Sequence, residues 1–144
     1  MYRIVIFREK PIKEYTDLDE FEDAYEMVEN SHTKTGDMLI DEYNKLKEVF
    51  SENTFYLALA MIRIWVFAVN GCDESFPNWD NGSEKRYPYW NMAGGGVGFS
   101  LLGALYGNSG TIVGSRLVLK DVPRVKFLSE HKNVKPLYKI IMFQ

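Results

Sequence analysis

The segment from Phe55 to Val69 is the most apolar stretch of the chain, and it constrains the fold more than any other segment. It has 15 residues and carries Arg63 near its middle, whereas a membrane-spanning helix needs roughly 20 apolar residues and rarely tolerates a central charge. We therefore interpret it as a buried core helix, capped by Asn53 or Thr54 and ending near Gly71. A helix that is apolar on nearly every side must be covered on every side.

Two amphipathic helices are predicted before this core helix. In the first, apolar residues recur at three- and four-residue spacing, namely Leu18, Phe21, Tyr25 and Val28. Thr16 followed by Asp19 resembles a capping box at its start. Asp37 is the predicted cap of the second helix. The apolar stripe of that second helix comprises Ile40, Tyr43, Leu46 (or Lys47) and Phe50. These helices can cover one side of the core helix, so we expect a sheet on the other side.

The second half of the chain has the composition of strands and turns. Residues 85–92 are predicted to be extended, with Pro88 indicating an edge or bulge position. Residues 111–120 form the best predicted strand of this half. The sequence thus predicts an α+β fold, in which N-terminal helices and one buried apolar helix pack on a small antiparallel sheet built mainly from residues 85–119. We expect a single domain over residues 1–144, with a helical part at 12–71 and a sheet-rich part at 72–144.

The end of the chain is predicted to contain one short helix. Asp121 with Pro123 soon after it is a helix-start signal, and the helix is expected to run to about His131. The following segment, Leu137 to Phe143, is compatible with either a helix or a strand.

The counts of cysteine and histidine exclude several classes of site. Cys72 is the only cysteine, which rules out an intramolecular disulfide and an all-cysteine zinc site. We interpret it as a partly buried thiol in a reducing cytosol, where it serves as a small hydrophobic side chain at the end of a helix. The two histidines, His32 and His131, lie far apart in polar surroundings, and we expect both at solvated surface positions. The prediction is therefore no metal site and no cofactor.

Charge is distributed unevenly along the chain, although the net charge is only −3. Residues 1–72 carry 8 basic and 14 acidic groups, and residues 73–144 carry 9 basic and 6 acidic groups. The acidic face at residues 17–29 is either a solvated helix face or an interaction surface for a basic partner. The basic excess near the C-terminus is compatible with phosphate contacts, so nucleic-acid binding stays open as a weaker possibility.

The glycine-rich stretch does not complete a known catalytic or nucleotide-binding motif. The run Gly96-Val97-Gly98-Phe99-Ser100-Leu101 lacks the third glycine of the dinucleotide fingerprint. Gly98-Phe99-Ser100 is followed by leucines, so the nucleophile elbow is absent as well. We interpret the glycines as positions of tight turns and close packing, and we predict no catalytic residue.

An aromatic group marks the start of the second half. Its members are Phe76, Trp79, Tyr87, Tyr89 and Trp90. Aromatic planes beside Asn and Arg suit the stacking of sugars or of single-stranded bases, and the same residues can instead close a small core over the apolar helix. The candidate binding residues are Trp79, Tyr87, Tyr89, Trp90, Arg116, Lys120, Arg124 and Lys126.

Four short motifs follow one another between residues 76 and 120, and their order is recognisable. They are Phe76-Pro77-Asn78-Trp79, then Lys85-Arg86-Tyr87-Pro88-Tyr89-Trp90-Asn91-Met92, then Gly98-Phe99-Ser100, then Val113-Gly114-Ser115-Arg116-Leu117. This combination resembles a family of small, largely uncharacterised proteins encoded by phages and prophages of gut Bacteroidetes bacteria. The resemblance implies a context and no catalytic residue. Among the matched positions, we expect Arg116 to tie its strand to a neighbouring carboxylate or carbonyl.

These observations lead to a functional expectation with two alternatives. The leading hypothesis is a non-enzymatic phage- or prophage-encoded accessory protein that binds a macromolecule, either in the virion or in the cytoplasm of the bacterial host. A protein partner or a homo-oligomer is the expected form of that binding, and no membrane association is expected. The alternatives are a lectin-like module that binds glycans through the aromatic loop and a small enzyme with an unrecognised site.

Overall fold

The structure, a computed structural model, describes residues 12–50, 54–76, 85–91, 100–107 and 117–142. A short 3-10 turn at Tyr15–Asp17 comes first. The helices that follow it are α1 (Phe21–Ser31), α2 (Lys34–Val49), α3 (Phe55–Val69), α4 (Val122–Glu130) and α5 (Lys135–Met142). The strands β1 (Lys85–Asn91) and β2 (Ser100–Gly107) lie between α3 and α4 along the chain.

Helix α3 lies at the centre of the molecule and is buried along most of its length. Its fully buried side chains include Trp65, Ile62 and Ile64. Burying a large apolar side chain contributes about 1.5–3 kcal/mol, so this one helix supplies much of the driving force for folding. The positive charge of Arg63 within α3 is paired with a carboxylate, because its guanidinium donates to Glu42 Oε1 on α2 at 2.9 Å.

The covering of α3 comes from helices. α1, α2 and α5 pack along it, and α4 and the 3-10 turn make smaller contacts with it. Apart from Leu18, Leu119 and Val134, every buried residue of the described core cluster lies in a helix. The second side of the apolar helix, for which the sequence predicted a sheet, is therefore occupied by α5 with a contribution from α4.

The α+β prediction is wrong, because the core that the structure describes is all-helical. The described strands form a single antiparallel hairpin, with Tyr87 opposite Leu105 and Tyr89 opposite Gly103, and a register shift follows Tyr89. This hairpin packs against α4. Leu119 adds an isolated bridge to the backbone of Arg86. Within the predicted sheet region of 85–119, residues 92–99 and 108–116 lie outside the described residues.

Two helix starts differ from their prediction. Helix α1 is capped by Glu20, whose backbone N–H donates to the Asp23 carboxylate at 3.0 Å in a capping box; the predicted box on Thr16 does not form its start. Helix α2 is capped by Thr33, which lies four residues before the predicted cap, Asp37, and whose hydroxyl accepts from Gly36 N at 3.0 Å. Both errors have one cause, since several Thr and acidic side chains near each start can accept the same orphan N–H groups.

The C-terminal helices follow their sequence signals more closely. Asp121 caps α4 by accepting from Arg124 N at 3.0 Å, with Pro123 in the first turn. The segment after Pro136, which the sequence left open between helix and strand, belongs to the helix α5. Tyr138 of α5 is buried, and burial raises the pKa of its phenol well above the ordinary value.

His131 at the end of α4 is half-buried, so the prediction of a solvated surface position is wrong. Its ring lies 5.0 Å from the Trp65 ring and 5.3 Å from the Phe127 ring. Nε2 donates to Leu18 O at 3.0 Å, while Nδ1 accepts from Asn133 N at 3.1 Å. The imidazole thus fastens the segment before α1 to the end of α4, and these two bonds place the ring proton on Nε2.

Candidate functional site

Three of the four predicted aromatic binding residues lie in the hairpin. Tyr87, Tyr89 and Trp90 are all positions of β1, where Trp90 is paired with Leu101 after the register shift. Trp79 lies outside the described residues. The structure therefore brings three of the four aromatic positions to one strand, and the sugar- or base-stacking hypothesis stays a prediction.

The predicted basic residues have different roles in the fold. Lys120 Nζ lies 2.8 Å from Asp73 Oδ2 and 5.8 Å from the centre of the Phe76 ring. The Lys120 ammonium, together with a hydrogen bond from the Ser75 hydroxyl, lowers the pKa of the Asp73 carboxyl to about 2. This lysine thus joins the loop after α3 to the segment before α4.

Arg124 is held by three partners from separate parts of the chain. Its Nε donates to Val69 O at 3.0 Å, Nη1 pairs with Asp121 Oδ2, and the guanidinium carbon lies 4.6 Å from the centre of the Tyr15 ring. Donors of this kind satisfy the free carbonyls at a helix C-terminus. In contrast, Lys126 is exposed on α4, with no partner among the described residues. Arg116 lies outside the described residues.

A cleft of about 900 Å³ opens between the segment before α1, helix α1 and the end of α3. Its lining includes Tyr15, Met27, Val69, Cys72 and Arg124. The volume is within the range of small-molecule sites. Sequence reasoning did not foresee this cleft, because its walls come from segments separated by as many as 112 positions along the chain, from Ile12 to Arg124.

The charged groups of the cleft are largely engaged in holding its own walls. The Asp23 carboxylate accepts from the backbone of Asp19 and Glu20, and Arg124 donates to the end of α3. Groups with such partners are less available to select a ligand, since a ligand would have to displace existing hydrogen bonds.

Cys72 lies in this cleft just beyond α3. Its backbone adopts a φ of +54°, and its thiol donates to Met27 O at 3.8 Å. Burial raises the pKa of the thiol, and a hydrogen bond with Ser31 opposes that rise. The thiol is therefore protonated and weakly nucleophilic at neutral pH, which agrees with its interpretation as a small packed side chain.

A second surface is formed by residues at the C-terminal end of α2 and the N-terminal end of α3. We name it the aromatic corner, and it consists of Val49, Phe50, Phe55 and Tyr56. Val49 is 76% exposed and Tyr56 is 57% exposed, although both are large apolar or aromatic side chains. The Tyr56 ring lies 5.4 Å from that of Phe50 and 5.6 Å from that of Phe55.

The aromatic corner was missed in the sequence for a definable reason. The helical spacing predicted that Phe50 would belong to the buried stripe of the second helix, and Tyr56 was treated as part of a helix apolar on every side. The sequence signal that could have found it is the hydroxyl of Tyr56, because this polar group favours a position where the edge of the ring contacts water.

The described ranges carry no signature of a metal site or of a membrane-spanning helix. No group of three metal-ligating side chains is present in that part of the chain. None of its helices is long and apolar enough to cross a membrane.

Comparison of the whole chain with known protein families, with curated proteins and with solved structures finds no match.

Proposed function

We propose that this chain is a non-enzymatic accessory protein that binds a protein partner, and that the aromatic corner is the surface that it uses. Its origin in a phage or prophage is part of the proposal and rests on the motif order between residues 76 and 120. The partner is a protein that offers an apolar pocket for the Tyr56 ring. Its place of action is the virion or the bacterial cytoplasm.

The observation that supports this proposal is the exposure of Tyr56 beside the rings of Phe50 and Phe55, together with the exposure of Val49, which directly precedes Phe50 in the chain. Exposed apolar groups that are contiguous mark interaction sites more often than the same groups scattered singly. Tyrosine is also enriched among the residues that dominate binding energy at protein interfaces. The cleft offers a weaker case, because its charged groups already bond to the fold.

The proposal is tested by placing a photo-crosslinking amino acid, p-benzoylphenylalanine, at position 56 in the cell that carries the gene. We expect irradiation to give one discrete adduct with a protein. We also expect Val49→Ser to reduce that adduct, since truncating an apolar neighbour of a binding residue weakens its contacts.

Met38 provides the matched control. It is 54% exposed, lies on α2 as Val49 does, and is outside the aromatic corner. The same photo-crosslinker at position 38 should give no such adduct. An equal yield at positions 38 and 56, or no protein adduct at position 56, would contradict the proposal.

A further inference from the structure

Helix α3 separates two pairs of helices. α1 and α2 pack on α3 and on each other, and α4 and α5 likewise pack on α3 and on each other. We call the first pair the acidic layer and the second pair the basic layer, for the charges that each carries. The layers lie on different sides of the central helix. The hairpin covers part of α4, and Lys126 and Lys139 remain exposed on the second pair.

The acidic layer has a large excess of carboxylates. Residues 21–49 hold eight acidic and three basic side chains, a net charge of −5. Glu22, Asp37 and Glu48 are among the exposed ones. Asp41 and Glu42 have partners within the molecule, since Asp41 pairs with Lys45 at 3.0 Å and Glu42 pairs with Arg63.

The basic layer has the opposite balance. Residues 122–142 hold five basic side chains and one acidic one, a net charge of +4. Arg124 bonds within the fold, and Lys132 lies 3.4 Å from Asp19. Lys126 and Lys139 are exposed, and within the described ranges neither has an ion-pair partner.

We propose that copies of this chain associate head to tail, with the acidic layer of one copy against the basic layer of the next. Oppositely charged surfaces steer molecules together and fix their relative orientation. Because the two layers lie on different sides of one chain, the contact joins two unlike surfaces, and such an interface continues into a ring or an open chain of copies.

A second copy fits the basic layer better than a nucleic acid does. The whole chain carries a net charge of −3 and the acidic layer alone carries −5, so a polyanion is repelled by most of the molecule. The acidic layer of a second copy offers a comparable charge of opposite sign. This inference uses the helical layers and is independent of the aromatic corner, so either proposal can fail without the other.

Salt dependence is the first test. In sedimentation velocity at about 20 mM NaCl we expect the weight-average mass to rise with concentration above the 16.7 kDa of one chain. At about 500 mM NaCl we expect the chain to return to a monomer, because the Debye length falls to a few Å. A monomer at both salt concentrations overturns the proposal, and so does an association that salt does not weaken.

Charge-reversal variants provide the sharper test. Glu22→Lys with Glu48→Lys moves the acidic layer from −5 to −1, and Lys126→Glu with Lys139→Glu moves the basic layer from +4 to 0. We expect each double variant to associate at least about tenfold more weakly than the natural chain. Circular dichroism of each variant checks that its helices are retained.

Mixing the two variants distinguishes charge pairing from damage to the fold. The first variant keeps its basic layer and the second keeps its acidic layer. These two layers can pair with each other, and the two altered layers cannot extend the contact to further copies. We expect the mixture to stop at a 1:1 complex, whereas the natural chain grows further.

Lys126→Arg with Lys139→Arg is the control that preserves charge, and it should associate as the natural chain does. A mixture of the two reversal variants that stays monomeric overturns the proposal. Binding of single-stranded DNA that Lys126→Glu with Lys139→Glu abolishes, without self-association of the natural chain, also overturns it and assigns the basic layer to nucleic acid.

Discussion

The two ends of α3 are held in different ways. At its C-terminal end, the Asn70 side chain donates to Val118 O at 3.0 Å and accepts from Lys120 N at 3.2 Å, while Arg124 bonds to Val69 O. At its N-terminal end, Thr54 makes no side-chain capping bond. Nearby, Val49 and Tyr56 are exposed.

This difference distinguishes side chains that hold the fold together from side chains that remain available to a binding partner. Directional hydrogen bonds to the C-terminal end fix how residues 118–124 approach α3, and the groups that make them are committed to the fold. Among the residues that the structure describes, no side chain bonds to the N-terminal end in this way, and the apolar side chains exposed there can be covered by a binding partner. The basic residues that the sequence suggested for binding, Lys120 and Arg124, belong to the first kind.

The C-terminal end is closed by a backbone motif as well. Cys72 N donates to Phe67 O at 2.9 Å, and Gly71 N donates to Ala68 O at 3.0 Å. With Gly71 at a φ of +78°, this is the Schellman arrangement that ends many helices. The predicted stop near Gly71 is therefore confirmed in its position and explained by its geometry.

The largest expected effect concerns Asn70, which is 5% exposed. Asn70→Ala leaves Val118 O and Lys120 N without their partner, and each such buried group costs about 1–3 kcal/mol. We expect a loss of about 2–4 kcal/mol in the free energy of unfolding, measured in urea. Asn44→Ala, which removes an exposed hydrogen bond with Tyr25, is the control and should cost under about 0.5 kcal/mol. Equal losses in both variants would contradict the importance of the Asn70 bridge.

A smaller effect is expected at Gly71. Gly71→Ala places a side chain in the left-handed region, which costs about 1 kcal/mol. A β-carbon there would meet no atom within 4 Å, so backbone conformation is the sole source of the loss. Gly71→Asn should lose less, because asparagine tolerates this region better than alanine does. If the two variants unfold at the same urea concentration, the loss has another origin.

The ion pair between Lys120 and Asp73 predicts a modest dependence on pH. The pKa of Asp73 is lowered from 3.8 to about 2 in the folded chain. Its stabilisation is therefore complete above the unfolded value and is lost as the pH falls from about 4 to about 2. Because both side chains are about one-third exposed, we expect under about 1 kcal/mol. Urea unfolding of Asp73→Asn should lack this component of the pH dependence, and an unchanged profile would contradict it.

The smallest effect is expected at the other end of α3. The Thr54 hydroxyl is buried and has no hydrogen-bond partner among the described residues. Thr54→Val removes this polar group at nearly constant shape, so we expect a change within about 0.5 kcal/mol, or a slight gain in stability. A loss comparable to that of Asn70→Ala would show that the two ends are held equally strongly.

The candidate surfaces were harder to predict than the helices. The aromatic positions Tyr87, Tyr89 and Trp90 were correctly expected in an extended segment, which is β1. The exposure of Tyr56 and the cleft beside Cys72 depend on which segments pack together, and local spacing does not report that. The partners of Arg124 illustrate the same limit, since Tyr15 and Val69 are distant from it in sequence.

The sequence by itself determined the central helix and its bounds, because apolar periodicity and end signals are local properties that fix whether a segment must be buried. It also determined that α4 begins after Asp121, where one cap and one proline act together. Only the tertiary structure decided what covers α3, since a helix and a sheet can bury the same apolar surface. The choice in favour of α5 depends on long-range packing, in which Val134 and Tyr138 join the buried core.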